Sequence, residues 1–120
     1  MKFQRHRYKG TEADLVGEFY YRARRAGLEV FLEVLLPSEV HRSGEMRVDA
    51  VVVNGDDIVC CIEGKRQGRA IDARGRQSKA YALLERDHGV QTIWINAVEG
   101  IDDVIADILW FISSRRKDAA

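Results

Sequence analysis

Residues 47–65, RVDAVVVNGDDIVCCIEGK, constrain the fold more than any other stretch, because two apolar, β-branched runs lie on either side of Asn54-Gly55-Asp56-Asp57. Asn-Gly between such runs is a strong hairpin signal, so two antiparallel strands joined by a tight turn are expected. Pairing then returns the end of the second run to the start of the first and brings Asp49 beside Glu63. Strand side chains alternate faces, so Lys65, two residues beyond Glu63, shares its side of the sheet. Two carboxylates and an ammonium group thus converge at the end of an otherwise apolar hairpin. Charges against apolar surface must be paired or bound to a metal. Carboxylate oxygens are hard ligands suited to Mg²⁺, so the spacing favours a metal site, with Lys65 placed to position or deprotonate a water.

The 120 residues are 46% hydrophobic and 32% charged with zero formal net charge, which fits one globular domain, 1–120, rather than a disordered chain. The first ten residues are basic and polar, and no apolar run approaches the ~20 residues a bilayer span requires. A chain with no membrane association and a cytoplasmic location is expected. Cys60 and Cys61 are adjacent; on a strand they face opposite ways, cannot readily pair, and read as small buried hydrophobes. The zero net charge conceals clustering. Lys65, Arg66, Arg69, Arg74, Arg76 and Lys79 stand against Asp72 alone, while acid gathers at Glu99, Asp102, Asp103 and Asp107.

Thr11 is a good N-cap for a first helix carrying Leu15, Val16, Phe19, Ala23 and Ala26 on one face, and Gly27 stops it. A strand is expected over 28–36, closed by Pro37, followed by a polar loop over 38–45 that reads as a flap beside Asp49. His41 in that loop reads as a solvated side chain. A helix over 72–88 ends at Gly89 and places Gln77 and Tyr81, four apart, on one face. A strand over 91–96 and a helix carrying Ile101, Val104, Ile105, Ile108, Leu109 and Ile112 complete the order α-β-β-β-α-β-α.

Asp49 followed by Glu63-Gly64-Lys65 resembles the D…ExK signature of the PD-(D/E)xK nuclease superfamily, with Arg47-Val48 where that family often has proline before the aspartate. Gln77-Ser78-Lys79-Ala80-Tyr81 resembles the QxxxY motif that follows ExK in one branch, and VRR-NUC modules also carry a glutamine here. Gly10-Thr11-Glu12 resembles the opening of cellular Holliday-junction resolvases, and the element order is similar to the restriction-endonuclease-like core over nearly the whole chain. The resemblance implies an α/β fold with a mixed central sheet flanked by helices. It also implies a Mg²⁺-dependent deoxyribonuclease, with Mn²⁺ substituting, that is selective for junctions or other DNA structures in repair, recombination or mobile-element processing. Asp49, Glu63, the Gly64 carbonyl and Glu12 would serve the metal, Lys65 the attacking water, and Gln77 the lysine or a phosphate. Arg66, Arg69, Arg74, Arg76, Lys79 and Tyr81 would line the DNA path.

Blander readings stand beside these. Glu12 is equally a helix-dipole acid, with Glu18 as its substitute at the metal; Tyr81 is equally a core residue and Lys79 a surface cation. A nucleic-acid-binding or interaction module that keeps the fold without cutting is the alternative function. An ordinary Glu63–Lys65 ion pair, worth at most ~1 kcal/mol, leaves Asp49 unexplained. Tyr20, Tyr21, Phe31, Trp94, Trp110 and Phe111 offer more aromatic surface than a small domain needs, and Trp110 and Phe111 cannot both face one core. A homodimer is therefore expected, with the final helix or the Trp94 strand at its interface.

Overall fold

The computed structural model describes residues 1–2, 11–65 and 75–119, the side chains of 117–119 excepted. Its elements are α1 (Glu12–Arg25), β1 (Glu29–Pro37), β2 (Glu45–Asn54), β3 (Asp57–Gly64), α2 (Arg76–His88), β4 (Gln91–Ile95) and α3 (Ile101–Ala119), with a 3₁₀ turn at Val98–Gly100 leading into α3.

Local chemistry sets the ends of these elements. Thr11 caps α1 through a capping box, its hydroxyl accepting from the Asp14 amide at 3.2 Å while its own amide donates to Asp14 Oδ2 at 2.8 Å. Gly27, at φ +96°, releases the chain toward β1. The second helix, expected over 72–88, is described only from Arg76. Gly75 takes extended backbone (φ −66°, ψ 156°) and caps the helix rather than joining it, while 72–74 lie outside the described residues. Gly89 ends α2 in the left-handed conformation at φ +68°. In the hairpin, Asn54 pairs with Asp57, so Gly55 and Asp56 form the turn. Gly55 takes positive φ and Asp56 does not, the pattern of a type II′ turn.

The four strands form one mixed sheet in the order β1-β2-β3-β4, antiparallel from β1 to β3 and parallel between β3 and β4. A parallel pair requires a crossover, and α2 supplies it. One core cluster joins Val16, Phe19 and Ala23 of α1 and Ile101, Ile105, Ile108 and Ile112 of α3 to Val30, Ala50, Val52, Cys60 and Ile62 of the sheet. The other joins Ala80 and Tyr81 of α2 to Leu36, Met46, Val48, Val51 and Cys61. Helices therefore cover both faces, and the spacings of the two α1 and α3 stripes are those of amphipathic helices. Phe19, Ile62 and Ile101 have no exposed surface, each burial contributing roughly 1.5–3 kcal/mol.

Across one row the sidedness of the sheet reverses. Val30, Ala50 and Val52 pack in the first cluster, whereas Val34, Leu36, Met46 and Val48, which have the same strand parity, pack in the second. The reversal falls at Glu33 and Asp49. Glu33 has φ +52° and is the one non-glycine residue with positive φ among those described. No helix among the described residues is long and apolar enough to cross a membrane.

Candidate active site

The two ladders converge on Asp49. Ala50 pairs with Ile62 and Val51 with Cys61, so the next step sets Asp49 opposite Glu63 on β3. On the other side Leu32 pairs with Ala50 and Val34 with Val48, which sets Glu33 opposite Asp49. Three acids thus occupy one row across three strands. At this row side chains take over from the backbone ladder. The Asp49 amide donates to Glu63 Oε1 at 3.1 Å, and the Gly64 amide donates to Asp49 Oδ2 at 3.0 Å. Each carboxylate therefore satisfies a backbone donor beside the other acid, a reciprocal arrangement that fixes both side chains. The hairpin expectation of Asp49 beside Glu63 holds in this form.

Glu63 is only 4% exposed. Burial and then the neighbouring Asp49 push its carboxyl up to about 8, against the opposing effect of hydrogen bonds from the Tyr81 hydroxyl and the Asp49 amide. Without a cation Glu63 therefore keeps its proton at neutral pH. Its second donor is Tyr81, whose hydroxyl also donates to Oε1. Tyr81 is 5% exposed, and its ring meets Trp94 edge-on with centroids 5.8 Å apart. Tyr81 packs in the second core cluster, as its reading as a core residue has it, and its hydroxyl is committed to Glu63. Burial and Glu63 both raise the phenol's own pKa, so it serves as a fixed donor.

Gly64 determines how closely α1 can approach. A Cβ at this position would lie 2.7 Å from the Glu12 carbonyl oxygen and 2.8 Å from Val16 Cγ2, so only glycine lets the first turn of α1 rest on the end of β3. That seating brings Glu12 into a cavity of about 390 Å³ whose lining includes Glu33 and Asp49. Glu18, the alternative, is bound instead to Arg22 at 2.8 Å. Between the two glutamates, Glu12 is the one at the candidate site.

Lys65 is half-buried, and its amide donates to the Ile95 carbonyl at 2.8 Å. That bond closes the β3–β4 ladder at the Gly64–Ile95 pair, and Lys65 follows directly on the end of β3. Arg76, Gln77 and Lys79 are exposed on the first turn of α2, one turn from Tyr81. Arg66, Arg69 and Arg74 lie outside the described residues. The loop over 38–44 is not a flap at this site. The Ser38 amide is bonded to the Gly44 carbonyl at 2.9 Å, Ser38 Oγ is 2.5 Å from His41 Nδ1, and Pro37, Ser38 and Glu39 face Leu83, Asp87 and His88 at the far end of α2.

Glu33 is the site residue that sequence reasoning missed. Its signal was present in the β1–β2 connection, because pairing Pro37 with Glu45 sets Glu33 opposite Asp49. Among the described residues no group of three or more His, Cys, Asp or Glu is arranged to hold a metal ion. The fit to a divalent cation therefore rests on the donor chemistry of Asp49 and Glu63. The amide and tyrosine bonds use one oxygen of each carboxylate, the oxygens are hard ligands, and a cation between two acids would relieve the desolvation and like-charge cost that raises the Glu63 carboxyl. Such a partial shell suits Mg²⁺, which takes one or two carboxylates and retains several waters. Comparison with family models, curated proteins and solved structures finds no match to this chain.

Proposed function

We propose that the protein is a Mg²⁺-dependent deoxyribonuclease of the PD-(D/E)xK type, acting as a structure-selective endonuclease. The observation that carries this reading is the reciprocal lock of Asp49 and Glu63 through the Asp49 and Gly64 amides, with Lys65 next in the chain. Asp49, Glu63 and the Gly64 carbonyl would hold the cation, with Glu12 reaching it or its waters. When bound, the cation supplies positive charge to a phosphate oxygen and makes a coordinated water more acidic.

The remaining work falls to the chain. Lys65 orients the attacking water and offsets the charge that develops on the phosphate. Tyr81 holds Glu63 in place through Oε1. Exposed Arg76, Gln77 and Lys79 stand at the start of the same helix, where they would contact backbone phosphates without reading sequence. The test is a panel of duplex, single-stranded, flap and four-way-junction DNAs incubated with and without Mg²⁺. Cleavage that requires Mg²⁺ and falls at least ~100-fold in Asp49→Asn, Glu63→Gln and Lys65→Ala is expected. Near-normal cleavage by either acid variant, or no cleavage of any substrate by the parent chain, would reject the reading.

A further inference from the structure

The C-terminal half of α1 carries two arginine–tyrosine pairs on its outer side. Tyr21 is 57% exposed, and Arg24 and Arg25 are exposed beside it. Arg24 lies over the Tyr20 ring, 5.4 Å from its centroid, and donates to its hydroxyl at 3.3 Å; Arg25 lies over the Tyr21 ring at 5.6 Å and donates to its hydroxyl at 3.4 Å. Each guanidinium is thus held on a ring instead of swinging freely in water. Neither makes an ion pair among the described residues, whereas Arg22 is taken by Glu18 and by Asp102 of α3. Of the nearby acids, Asp14 is held in the capping box, and Glu29, beyond the Gly27 turn, lines a separate cavity with Arg116. Two fixed, uncompensated positive charges beside an exposed ring match the phosphates and base of a nucleic-acid strand.

The patch continues the cavity of the candidate site. The α1 residues lining that cavity are Glu12, Ala13, Val16 and Gly17, with Leu32 and Glu33 of β1 and Asp49 of β2 completing it. Ala13, Gly17 and Tyr21 are spaced i, i+4, i+8, and Arg24 is seven residues beyond Gly17, so the four share one side of the helix. A Cβ at Gly17 would meet nothing within 4 Å, so open space separates the acids from Tyr21. From Glu12 to Arg24 the helix runs about 18 Å, the length of about five stacked nucleotides. The occupant that fits is an unpaired strand, because a base face is free to lie on Tyr21 only where the bases are not stacked within a duplex. Helices α1 and α2 cover opposite faces of the sheet, so a substrate that also meets the exposed cations of α2 has its strands parted at the site.

We propose that this side of α1 seats an unpaired DNA strand that leads into the candidate site, with a base stacked on Tyr21 and phosphates on Arg24 and Arg25. That the strand ends at Asp49 and Glu63 rests on the nuclease reading, to which the seat adds a substrate class: duplex DNA bearing a single-stranded arm. The seat itself is tested without cleavage.

The probe is a fluorescent duplex with a single-stranded tail of about six thymidines, long enough to span α1. It is compared with the same duplex blunt-ended, each titrated with the parent chain in chelator and followed by anisotropy. The tailed probe should bind roughly tenfold more tightly, as one base–aromatic stack provides. Tyr21→Ala should abolish that preference and Tyr21→Phe should keep it. Arg24→Ala and Arg25→Ala should each lower the slope of log affinity against log salt for the tailed probe by about 0.7, the single-strand value per phosphate contact. Gly17→Leu fills the open space with a better helix former, so it should weaken binding of the tail without lowering the urea midpoint. A parent chain that binds the two probes equally, or a preference that survives Tyr21→Ala, overturns the proposal. Adding Mg²⁺ separates it from the nuclease reading. A tail preference lost in Tyr21→Ala, with no cleavage of any substrate, keeps the seat and rejects the nuclease. Mg²⁺-dependent cleavage with no tail preference keeps the nuclease and rejects the seat.

Discussion

At the scale of single residues, the site turns on one acid, Glu63, held where an acid is costly. Glu63 has a carboxyl raised to about 8 by burial and by Asp49, against an ordinary value near 4.5 in the unfolded chain. The native state therefore binds the extra proton between these two values. The stabilisation is full below the unfolded value and is lost as pH rises through 8. Metal-free protein should lose on the order of 3 kcal/mol of unfolding free energy between pH 5 and pH 8 from this group. Glu63→Gln should flatten that slope and be the more stable protein at pH 8. Urea unfolding in chelator across this range measures both, and an unchanged slope in the variant would show that Glu63 titrates normally. Glu33 carries a different cost, a left-handed backbone at φ +52°. Replacing it by glycine should stabilise the fold by about 1 kcal/mol, read as a higher urea midpoint. A lower midpoint would mean that the backbone there is unstrained.

At the scale of elements, the hairpin was legible because Asn54-Gly55 and two β-branched runs leave little choice of pairing. Once the pairing is set, Asp49 must meet Glu63. Helix α1 was legible from its caps and apolar spacing, and α3 from apolar spacing alone. The row of three acids was not, since the reading of 38–45 as a flap discarded the register that carries Glu33 to Asp49. For Tyr81 the sequence left a DNA-path and a core reading open: four-residue spacing places it with Gln77 on one face, and only the docking of α2 reveals that it is buried with its hydroxyl ending on Glu63. Because that hydroxyl anchors Glu63, Tyr81→Phe should weaken Mn²⁺ binding by roughly tenfold, the usual effect of losing an outer-shell hydrogen bond, while DNA affinity without metal stays unchanged. Titration calorimetry and a filter-binding assay separate the two. The exposed cations of α2 predict the reverse pattern. Arg76→Ala or Lys79→Ala should reduce the slope of log affinity against log salt by roughly one each, and an unchanged slope would make them ordinary surface charges.

At the scale of the molecule, a four-stranded mixed sheet covered by α1 and α3 on one face and α2 on the other gathers the middle of β2, the end of β3, the first turn of α1 and the tyrosine of α2 at one place. The order of elements could be read along the chain, but the faces on which the helices lie depend on the crossover through α2 and on the reversal at Glu33 and Asp49. The central claim is that this convergence binds a divalent cation between Asp49 and Glu63. Calorimetric titration of Mn²⁺ into the parent chain and into Asp49→Asn at pH ~7.5, in two buffers of different ionisation enthalpy, tests it directly. One Mn²⁺ per chain, with release of a proton from Glu63 and binding weakened at least tenfold in the variant, is the predicted result. Absence of binding in the parent chain, or equal binding by the variant, would contradict it.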